Sequence, residues 1–217
     1  MPDLDGPRWG PRTGAAQQLV VICHGVGADG HDLIDLAPHW AQALPHAAFV
    51  APDAPEPYDG APMGRQWFSL RDRSPAILAA GVAVAATALS GFIDAELARL
   101  TLPADAYALV GFSQGAMTVL YAGLRRAVPP RAILAYSGAL LAPELLSTTT
   151  VRPPVLLVHG EDDAVVPVAA SRAAEQALRA AGVPVEALYC PRLGHGIDEA
   201  GLSTGALFLQ RAFATPA

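Results

Sequence analysis

The feature that most constrains this chain is an apolar stretch that runs into a Gly-x-Ser-x-Gly turn and then into a helix-forming segment. Residues 107–110 are of strand type, residues 111–115 read Gly-Phe-Ser-Gln-Gly, and residues 116–122 favour a helix. Strand, sharp turn and helix in that order predict a nucleophile elbow with Ser113 at its apex. A second match to the pattern, around Ser203, follows no strand and precedes no histidine, so we interpret it as part of the last helix.

Strand-like runs alternate with helix-forming segments along the 217 residues. This alternation predicts an α/β fold with a mostly parallel central sheet flanked by helices. We expect a single domain over residues 1–217, in which residues 1–16 form an irregular lead-in or edge. Ligands of such sheets bind at the carboxyl ends of the strands. The loops that follow the strands ending at Cys23, Phe112, His159 and Cys190 should therefore converge.

The composition of the chain disfavours several classes of function. Hydrophobic residues make up 52% of the chain and charged residues 16%, which provides a sizeable core. The net charge of −6, without any cluster of arginines, disfavours nucleic-acid binding. Cys23 and Cys190 are interpreted as buried hydrophobes rather than as a disulfide or a zinc site. The N-terminus lacks the apolar core of a signal peptide, so a cytoplasmic location is expected.

One stretch, residues 74–93, carries no charged side chain. It is rich in alanine, glycine and threonine, and alanine gains little free energy on transfer into lipid. It also begins with a Ser-Pro helix signal and runs into Asp94 and Glu96. We therefore expect a helix packed closely on the sheet and no stable membrane insertion.

Three residues in the converging loops have the order of a catalytic triad. A serine nucleophile needs a base, and the base needs an acid that fixes its tautomer. Ser113, Asp163 and His195 follow one another in the order Ser, Asp, His that is typical of α/β-hydrolases. Asp162 is the alternative acid, because residues 161–163 are all acidic. His159 precedes the acid and is therefore in the wrong order.

Acyl transfer also needs donors for an oxyanion and a site for the acyl group. The backbone N–H of Gln114 is one predicted donor, and that of Val26 in the glycine-rich loop after the first long strand is the other. Trp67 and Phe68 end a long loop at residues 52–70, which suits one wall of an apolar pocket, although plain core packing is the competing interpretation. Residues 165 and 166, both valine, could form the opposite wall.

These motifs in combination resemble the phospholipase/carboxylesterase family of α/β-hydrolases, a group that includes acyl-protein thioesterases. The resemblance extends from about Leu19 to the final helix. It implies an α/β-hydrolase fold, a triad of Ser113, Asp163 and His195, an oxyanion hole from Val26 and Gln114, and no metal or organic cofactor. The motifs that carry it are His24-Gly-Val-Gly, Arg65-Gln-Trp-Phe-Ser-Leu, Gly-Phe-Ser113-Gln-Gly, His159-Gly-Glu-Asp-Asp163 and Gly-His195-Gly-Ile-Asp.

The expected function is a serine carboxylesterase that hydrolyses short-to-medium chain esters through an acyl-enzyme. An acyl-protein thioesterase or a lysophospholipase is the alternative within the same chemistry. A catalytically silent binding module is the alternative from another class, and the complete triad disfavours it. The expected partner is a small-molecule ester or thioester, and the sequence leaves both monomer and homodimer open.

Overall fold

The computed structural model describes residues 4–214, which form a seven-stranded sheet covered by helices on both faces. A separate two-stranded ribbon lies in the long loop before residue 70. In chain order the strands are β1 (Arg8–Trp9), β2 (Gln18–Cys23), β3 (Ala47–Val50), β4 (Glu56–Pro57), β5 (Arg65–Gln66), β6 (Tyr107–Phe112), β7 (Ile133–Tyr136), β8 (Val155–Gly160) and β9 (Val185–Cys190).

The large sheet has the strand order β1-β3-β2-β6-β7-β8-β9. Every neighbouring pair is parallel except β1 and β3, which are antiparallel. The predicted mostly parallel sheet is therefore confirmed. The lead-in is not wholly irregular, because Arg8 and Trp9 pair with Val50 and Phe49 as a short edge strand.

The helices divide between the two faces of the sheet. They are α1 (Gly30–Ile34), α2 (Ala37–Trp40), α3 (Pro75–Arg99), α4 (Gln114–Gly123), α5 (Val168–Ala180) and α6 (Glu199–Ala214), with a 3₁₀ helix at Pro143–Thr148. Buried side chains of α3, α4 and α5 share one core, and those of α1, α2 and α6 share the other. Side chains of a strand alternate between the two faces. In β2, accordingly, Leu19 and Val21 enter the first core while Val20 and Ile22 enter the second.

Two short helices, α1 and α2, follow the glycine-rich loop after β2. Pro38 occupies the first turn of α2, where a missing N–H costs no hydrogen bond. Proline therefore starts a new helix here instead of continuing the preceding one.

The sheet changes winding direction at β2. From β2 the chain moves to β3 on one side, then returns through α3 to β6 on the other side of β2. Connections that leave in opposite directions open a crevice at the carboxyl ends of the two central strands. The loop that carries Val26 follows β2 and the turn that carries Ser113 follows β6, so both lie at this crevice.

Helix α3 is the one helix in residues 4–214 that is long and apolar enough to cross a membrane by length and composition alone. Its side chains at Val82, Leu89 and Ile93 are fully buried in the core against the sheet. This is the close packing that its alanine-rich sequence predicts.

A buried carboxylate ties the N-terminal segment to the end of α3. The Glu96 side chain is 5% exposed and accepts Arg8 Nη2 at 2.7 Å and Arg99 Nη2 at 2.8 Å. Burial acts to raise the pKa of Glu96, but the hydrogen bonds from the two arginines outweigh it and hold the pKa below its ordinary value. Glu96 thus stabilises the fold as a carboxylate.

We predict that Glu96→Gln lowers the free energy of unfolding at pH 7 by about 1–3 kcal/mol, because two guanidinium groups lose their charged acceptor. Because its folded pKa is depressed, the carboxylate contributes fully above the pKa of an unfolded glutamate. That contribution disappears as the pH falls through the folded pKa. Urea unfolding at several pH values should show the gap from wild type closing in acid. Glu186→Gln, which alters an exposed pair with Arg211, should change stability by no more than about 0.5 kcal/mol; equal losses would contradict the assignment.

Candidate active site

Ser113 lies in the turn between the end of β6 and the first residue of α4. Its backbone angles are φ 55° and ψ −116°, a conformation that costs a residue with a side chain on the order of 1–3 kcal/mol. The Ser113 N–H donates to the Tyr136 carbonyl at 2.9 Å, which anchors the turn to the neighbouring strand. The turn therefore has the strained strand-to-helix geometry of a nucleophile elbow.

Two glycines allow the backbone to pack around this turn. A Cβ on Gly115 would lie 2.0 Å from the Cys23 carbonyl oxygen, and one on Gly111 would lie 2.4 Å from the Gly115 carbonyl. Both distances are far below van der Waals contact, so any side chain would push α4 away from the ends of β2 and β6. The Gly-x-Ser-x-Gly pattern is thus a packing requirement at this position. Ser203, by contrast, is exposed within α6, as its sequence context predicts.

A chain of hydrogen bonds joins Ser113, His195 and Asp163. His195 Nε2 lies 3.0 Å from Ser113 Oγ, and His195 Nδ1 lies 2.7 Å from Asp163 Oδ2. A carboxylate only accepts hydrogen bonds, so Nδ1 carries the proton and Nε2 is left to accept from the serine hydroxyl. The arrangement can therefore deprotonate Ser113 through His195.

The Asp163 carboxylate is buried and fully supplied with donors. Its Oδ1 accepts the backbone N–H groups of Val165 and Val166, each at 2.9 Å. Burial acts to raise the pKa of Asp163, but the hydrogen bonds from His195 and these two N–H groups lower it below its ordinary value. Asp163 is thus held as a carboxylate at neutral pH. The alternative acid, Asp162, is exposed, and the structure does not bring it to His195.

A second imidazole, which the sequence did not suggest for the site, also contacts Asp163. His159 is fully buried; its Nε2 lies 2.8 Å from the Val166 carbonyl and 3.2 Å from Asp163 Oδ2. Both neighbours accept, so Nε2 carries the proton, and Nδ1 at 2.8 Å accepts from the Ser171 hydroxyl. His159 therefore helps to position the acid. The sequence signal for this contact is the position of His159 four residues before Asp163. The order Ser, Asp, His excluded His159 as the base and left no other role for it.

The two predicted oxyanion donors, Val26 and Gln114, line one cleft together with Ser113. Gln114 is the first residue of α4, where backbone N–H groups have no acceptor inside the helix. Its side chain is buried and holds the long loop: Oε1 accepts the Trp67 N–H at 2.8 Å and Nε2 donates to the Phe68 carbonyl at 2.6 Å. Gln114 thus links the nucleophile turn to the loop that covers it.

The expectation that Trp67 and Phe68 form a wall of the acyl pocket is wrong. Both side chains are buried, at 1% and 2% exposure, and neither lines the cleft. The Trp67 indole N–H donates to the His24 carbonyl at 2.9 Å, and Phe68 packs in the core with α3. A large aromatic side chain gains most from complete burial when its polar atom has a partner, and both conditions are met here.

The cleft beside Ser113 has a volume of about 550 Å³ and mainly apolar walls. Val165 and Val166 line it, as predicted. The rest of the lining includes two exposed arginines. These further residues are Tyr58, Asp59, Gly60, Leu70, Arg71, Arg73, Leu78, Met117, Ala139 and Leu141. Tyr58, Asp59, Gly60 and Leu70 belong to the loop at residues 52–70 that the sequence predicts to form one wall. The other six come from three further segments, so no local pattern could identify them.

Within residues 4–214, no three His, Cys, Asp or Glu side chains are grouped so that they could hold a metal ion. The two cysteines are both buried; burial raises the pKa of Cys190 to about 11, which keeps its thiol protonated.

Comparison with known proteins agrees with this geometry. Residues 11–212 match the phospholipase/carboxylesterase family. Esterase YpfH of Escherichia coli strain K12 is 33% identical over 184 residues, which are 84% of this chain and 78% of the esterase. Acyl-protein thioesterase 1 of Schizosaccharomyces pombe is 32% identical over 174 residues, which are 73% of this chain and 74% of the thioesterase.

The solved structure of esterase PE8 superimposes with a TM-score of 0.91 at 40% sequence identity, and the match covers 97% of this chain and 99% of PE8. The family match alone spans almost the whole chain. The chain therefore belongs to the phospholipase/carboxylesterase family of α/β-hydrolases.

Proposed function

We propose that this protein is a serine carboxylesterase that hydrolyses short-to-medium chain esters through an acyl-enzyme on Ser113. The observation that carries the proposal is the hydrogen-bonded series Ser113–His195–Asp163 at a strained strand-to-helix turn. The esterase named among the relatives and the family of the chain give it independent support.

The reaction follows from the positions of the hydrogen-bonding groups. Ser113 Oγ attacks the ester carbonyl carbon while its proton passes to His195 Nε2. The imidazolium that forms is stabilised by the buried Asp163 carboxylate. His195 then gives the proton to the departing alkoxide as the bond between the carbonyl carbon and the alkoxy oxygen of the ester breaks. A water molecule then attacks the acyl carbon while His195 takes its proton, and His195 returns that proton to Ser113 Oγ as the bond between the acyl carbon and Oγ breaks and the acid leaves.

The negative charge on the carbonyl oxygen needs donors while the tetrahedral intermediate exists. We assign this role to the backbone N–H groups of Val26 and Gln114. Each such donor is worth about 3 kcal/mol in the transition state. The Gln114 side chain holds the turn through Trp67 and Phe68, so the donor is fixed before substrate binds.

The acyl group would lie in the cleft between Leu78, Met117 and Val165. A thioester or a lysophospholipid could present the same acyl carbon to Ser113, and the thioesterase among the relatives keeps this alternative open. A chain-length series of p-nitrophenyl esters, run beside a matched thioester, separates these substrates. A fluorophosphonate label tests the remaining alternative, because a silent binding protein would not react with it.

Ser113→Ala is expected to lower kcat by roughly 10⁴–10⁶ and to abolish fluorophosphonate labelling, because no acyl-enzyme can form. Steady-state hydrolysis of p-nitrophenyl butyrate and mass spectrometry of the labelled protein measure the two effects. Ser203→Ala is the matched control, with the same substitution in the other Gly-x-Ser-x-Gly match, and should retain full activity. Loss of activity in Ser203→Ala with retention in Ser113→Ala would reverse the assignment.

Asp163→Asn is expected to lower kcat by about 10⁴, because an amide can turn its NH₂ toward His195 and favour the wrong tautomer. Asp162→Asn makes the same change at the adjacent, exposed position and should leave kcat within about a factor of two, since the hydrogen bond to His195 comes from Asp163. Circular dichroism verifies that both variants fold. A larger loss of kcat in Asp162→Asn than in Asp163→Asn would assign the role of the acid to Asp162.

Leu78→Ala is expected to reduce kcat/KM for hexanoate more than for acetate, because only the longer chain reaches that wall. In the wild type, kcat/KM should rise by up to about fourfold per methylene until the cleft is filled, from about 0.8 kcal/mol per buried methylene. Trp67→Ala is the contrasting variant. It should lower the free energy of unfolding by about 3–5 kcal/mol and leave the ratio of hexanoate to acetate unchanged. If Trp67→Ala lowered the ratio of kcat/KM for hexanoate to that for acetate and Leu78→Ala did not, Trp67 would belong to the acyl pocket.

A further inference from the structure

The catalytic cleft has two chemically different groups of lining residues. Leu78 of α3, Met117 of α4 and Leu141 are apolar and pack against the core. The hydroxyl and charged side chains of the lining, apart from Ser113, all lie in residues 58–73. An ester likewise has two parts, an acyl group and an alcohol. Because apolar side chains suit the acyl group, the polar segment is left to contact the alcohol.

The Tyr58 ring lies between two glycines. A Cβ on Gly27, the residue after Val26, would lie 3.5 Å from two ring carbons of Tyr58. A Cβ on Gly60 would lie 2.4 Å from the Tyr58 hydroxyl oxygen, so a side chain there would displace the phenol. The Tyr58 backbone N–H donates to the Gly64 carbonyl at 3.0 Å. These contacts place the phenol beside the loop that carries Val26, the residue assigned to the oxyanion hole.

The hydroxyl of Tyr58 has no hydrogen-bond partner within residues 4–214. The buried tyrosines Tyr107 and Tyr136 differ, because their hydroxyls donate to backbone carbonyls at 2.7 and 3.0 Å. The Tyr58 oxygen is also not sealed from solvent, since the one sealed side-chain N or O atom without a partner in the described part of the chain belongs to Arg125. A half-buried phenol with an accessible, unpaired hydroxyl therefore lines the same cleft as Ser113.

An acidic and a basic side chain accompany Tyr58 in the cleft. Asp59 Oδ2 accepts the Ser69 hydroxyl at 2.6 Å and lies 3.3 Å from Arg71 Nε. The hydrogen bond from Ser69 lowers the pKa of Asp59 below its ordinary value, so Asp59 is a carboxylate at neutral pH. With the Gln66 amide, three donors act on this carboxylate, which offers about four acceptor positions. Arg71 Nη2 donates to the Asp59 carbonyl at 2.9 Å, and the Arg71 side chain is 74% exposed.

These three side chains offer both kinds of hydrogen-bonding group. The Asp59 carboxylate accepts, the Arg71 guanidinium donates, and the Tyr58 hydroxyl can do either. A simple alkyl alcohol in this place would displace water and leave these groups unpaired, which costs binding free energy. An alcohol with several hydroxyl groups can donate to the carboxylate and accept from the guanidinium at once. We propose that the alcohol part of the substrate is a neutral polyol whose hydroxyl groups bind Tyr58, Asp59 and Arg71.

A charged polyol is the competing candidate, because Arg73 also lines the cleft. Arg73 is exposed, and no carboxylate among the described residues forms a salt bridge with it. A phosphate on the alcohol would be attracted to Arg73 but repelled by the Asp59 carboxylate next to Tyr58. The charge of Arg71 is already paired with Asp59, so the segment around Tyr58 favours a neutral alcohol. This assignment rests on the proposed function, because it names the alcohol of the ester that Ser113 hydrolyses.

The test compares glyceryl monobutyrate with propyl butyrate, which have the same acyl group and the same number of alcohol carbons. Acid release is measured by pH-stat titration, and each kcat/KM is divided by the rate constant for hydrolysis of that ester by hydroxide, which corrects for the leaving group. We expect the glyceryl ester to be favoured by at least about fivefold, the effect of one net hydrogen bond. Equal corrected values would overturn the proposal, and so would a preference for the butyryl ester of glycerol phosphate over glyceryl monobutyrate.

These outcomes are distinguishable from a failure of the proposed function. Hydrolysis of both esters without a preference would overturn the polyol assignment alone. Absence of hydrolysis together with absence of fluorophosphonate labelling would overturn the serine esterase and the polyol assignment with it.

Tyr58→Phe removes only the hydroxyl and is expected to lower the ratio of kcat/KM for glyceryl monobutyrate to that for propyl butyrate by about fivefold. Tyr121→Phe is the matched control. The Tyr121 hydroxyl also has no hydrogen-bond partner within residues 4–214, and Tyr121 does not line the catalytic cleft, so this variant should keep the wild-type ratio. An equal loss for both esters in Tyr58→Phe would assign its hydroxyl to the reacting carbonyl and overturn its contact with the alcohol.

Asp59→Asn tests the carboxylate. We expect this variant to lower the same ratio and to raise kcat/KM for the butyryl ester of glycerol phosphate relative to glyceryl monobutyrate, because the repulsion of phosphate is removed. A change in neither ratio would contradict the contact with Asp59. The comparison of substrates by the wild-type protein needs no variant, so it decides the proposal even if Asp59→Asn does not fold.

Discussion

The close approach of the N-terminus of α4 to the carboxyl end of β2 is the contact on which the rest of the site depends. Gly115 makes this approach possible, because a Cβ there would lie 2.0 Å from the Cys23 carbonyl oxygen. Held by that contact and by the hydrogen bond to Tyr136, Ser113 keeps a backbone conformation that it would not adopt alone. The strain is offset by packing at the centre of the sheet, where β2 and β6 pair along five residues.

The same contact organises the loops around the serine. Gln114, immediately after Ser113, uses its buried amide to hold the backbone at Trp67 and Phe68, and the Trp67 indole in turn donates to the His24 carbonyl. The His24 ring completes the arrangement by accepting the Ala54 N–H and bonding the Gly25 carbonyl. Three loops are thus fixed to one another without a hydrogen bond to the triad itself. A preorganised oxyanion site needs this kind of support, because its donors must be in place before charge develops.

Asp163, the acid of the triad, is also held in place by several hydrogen bonds. Asp163 receives His195 and His159 at one oxygen and two backbone N–H groups at the other, so a buried charge is matched by four donors. His159 is itself fixed by Ser171 of α5, which connects the acid to the helix that follows it. The position of His195, on the loop after the last strand, is then defined from both sides by Asp163 and Ser113.

The sequence by itself determined the mostly parallel sheet flanked by helices, because strand-like apolar runs alternate with helix-forming segments and each crossover helix must pack on the sheet. It also identified Ser113, His195 and Asp163, since the chemistry restricts those positions to particular residue types and the strands place them at one edge. Tertiary structure alone decided the walls of the cleft. Trp67 and Phe68 satisfied the sequence pattern for a pocket, yet the core on one side of the sheet had room for them and a partner for the indole N–H. The residues that do form the walls, such as Leu78, Met117 and Leu141, come from separate segments of the chain, and no local pattern predicts their contact. The contact of His159 with Asp163 is local in the chain, but only the fold of the turn after β8 shows that the two side chains meet.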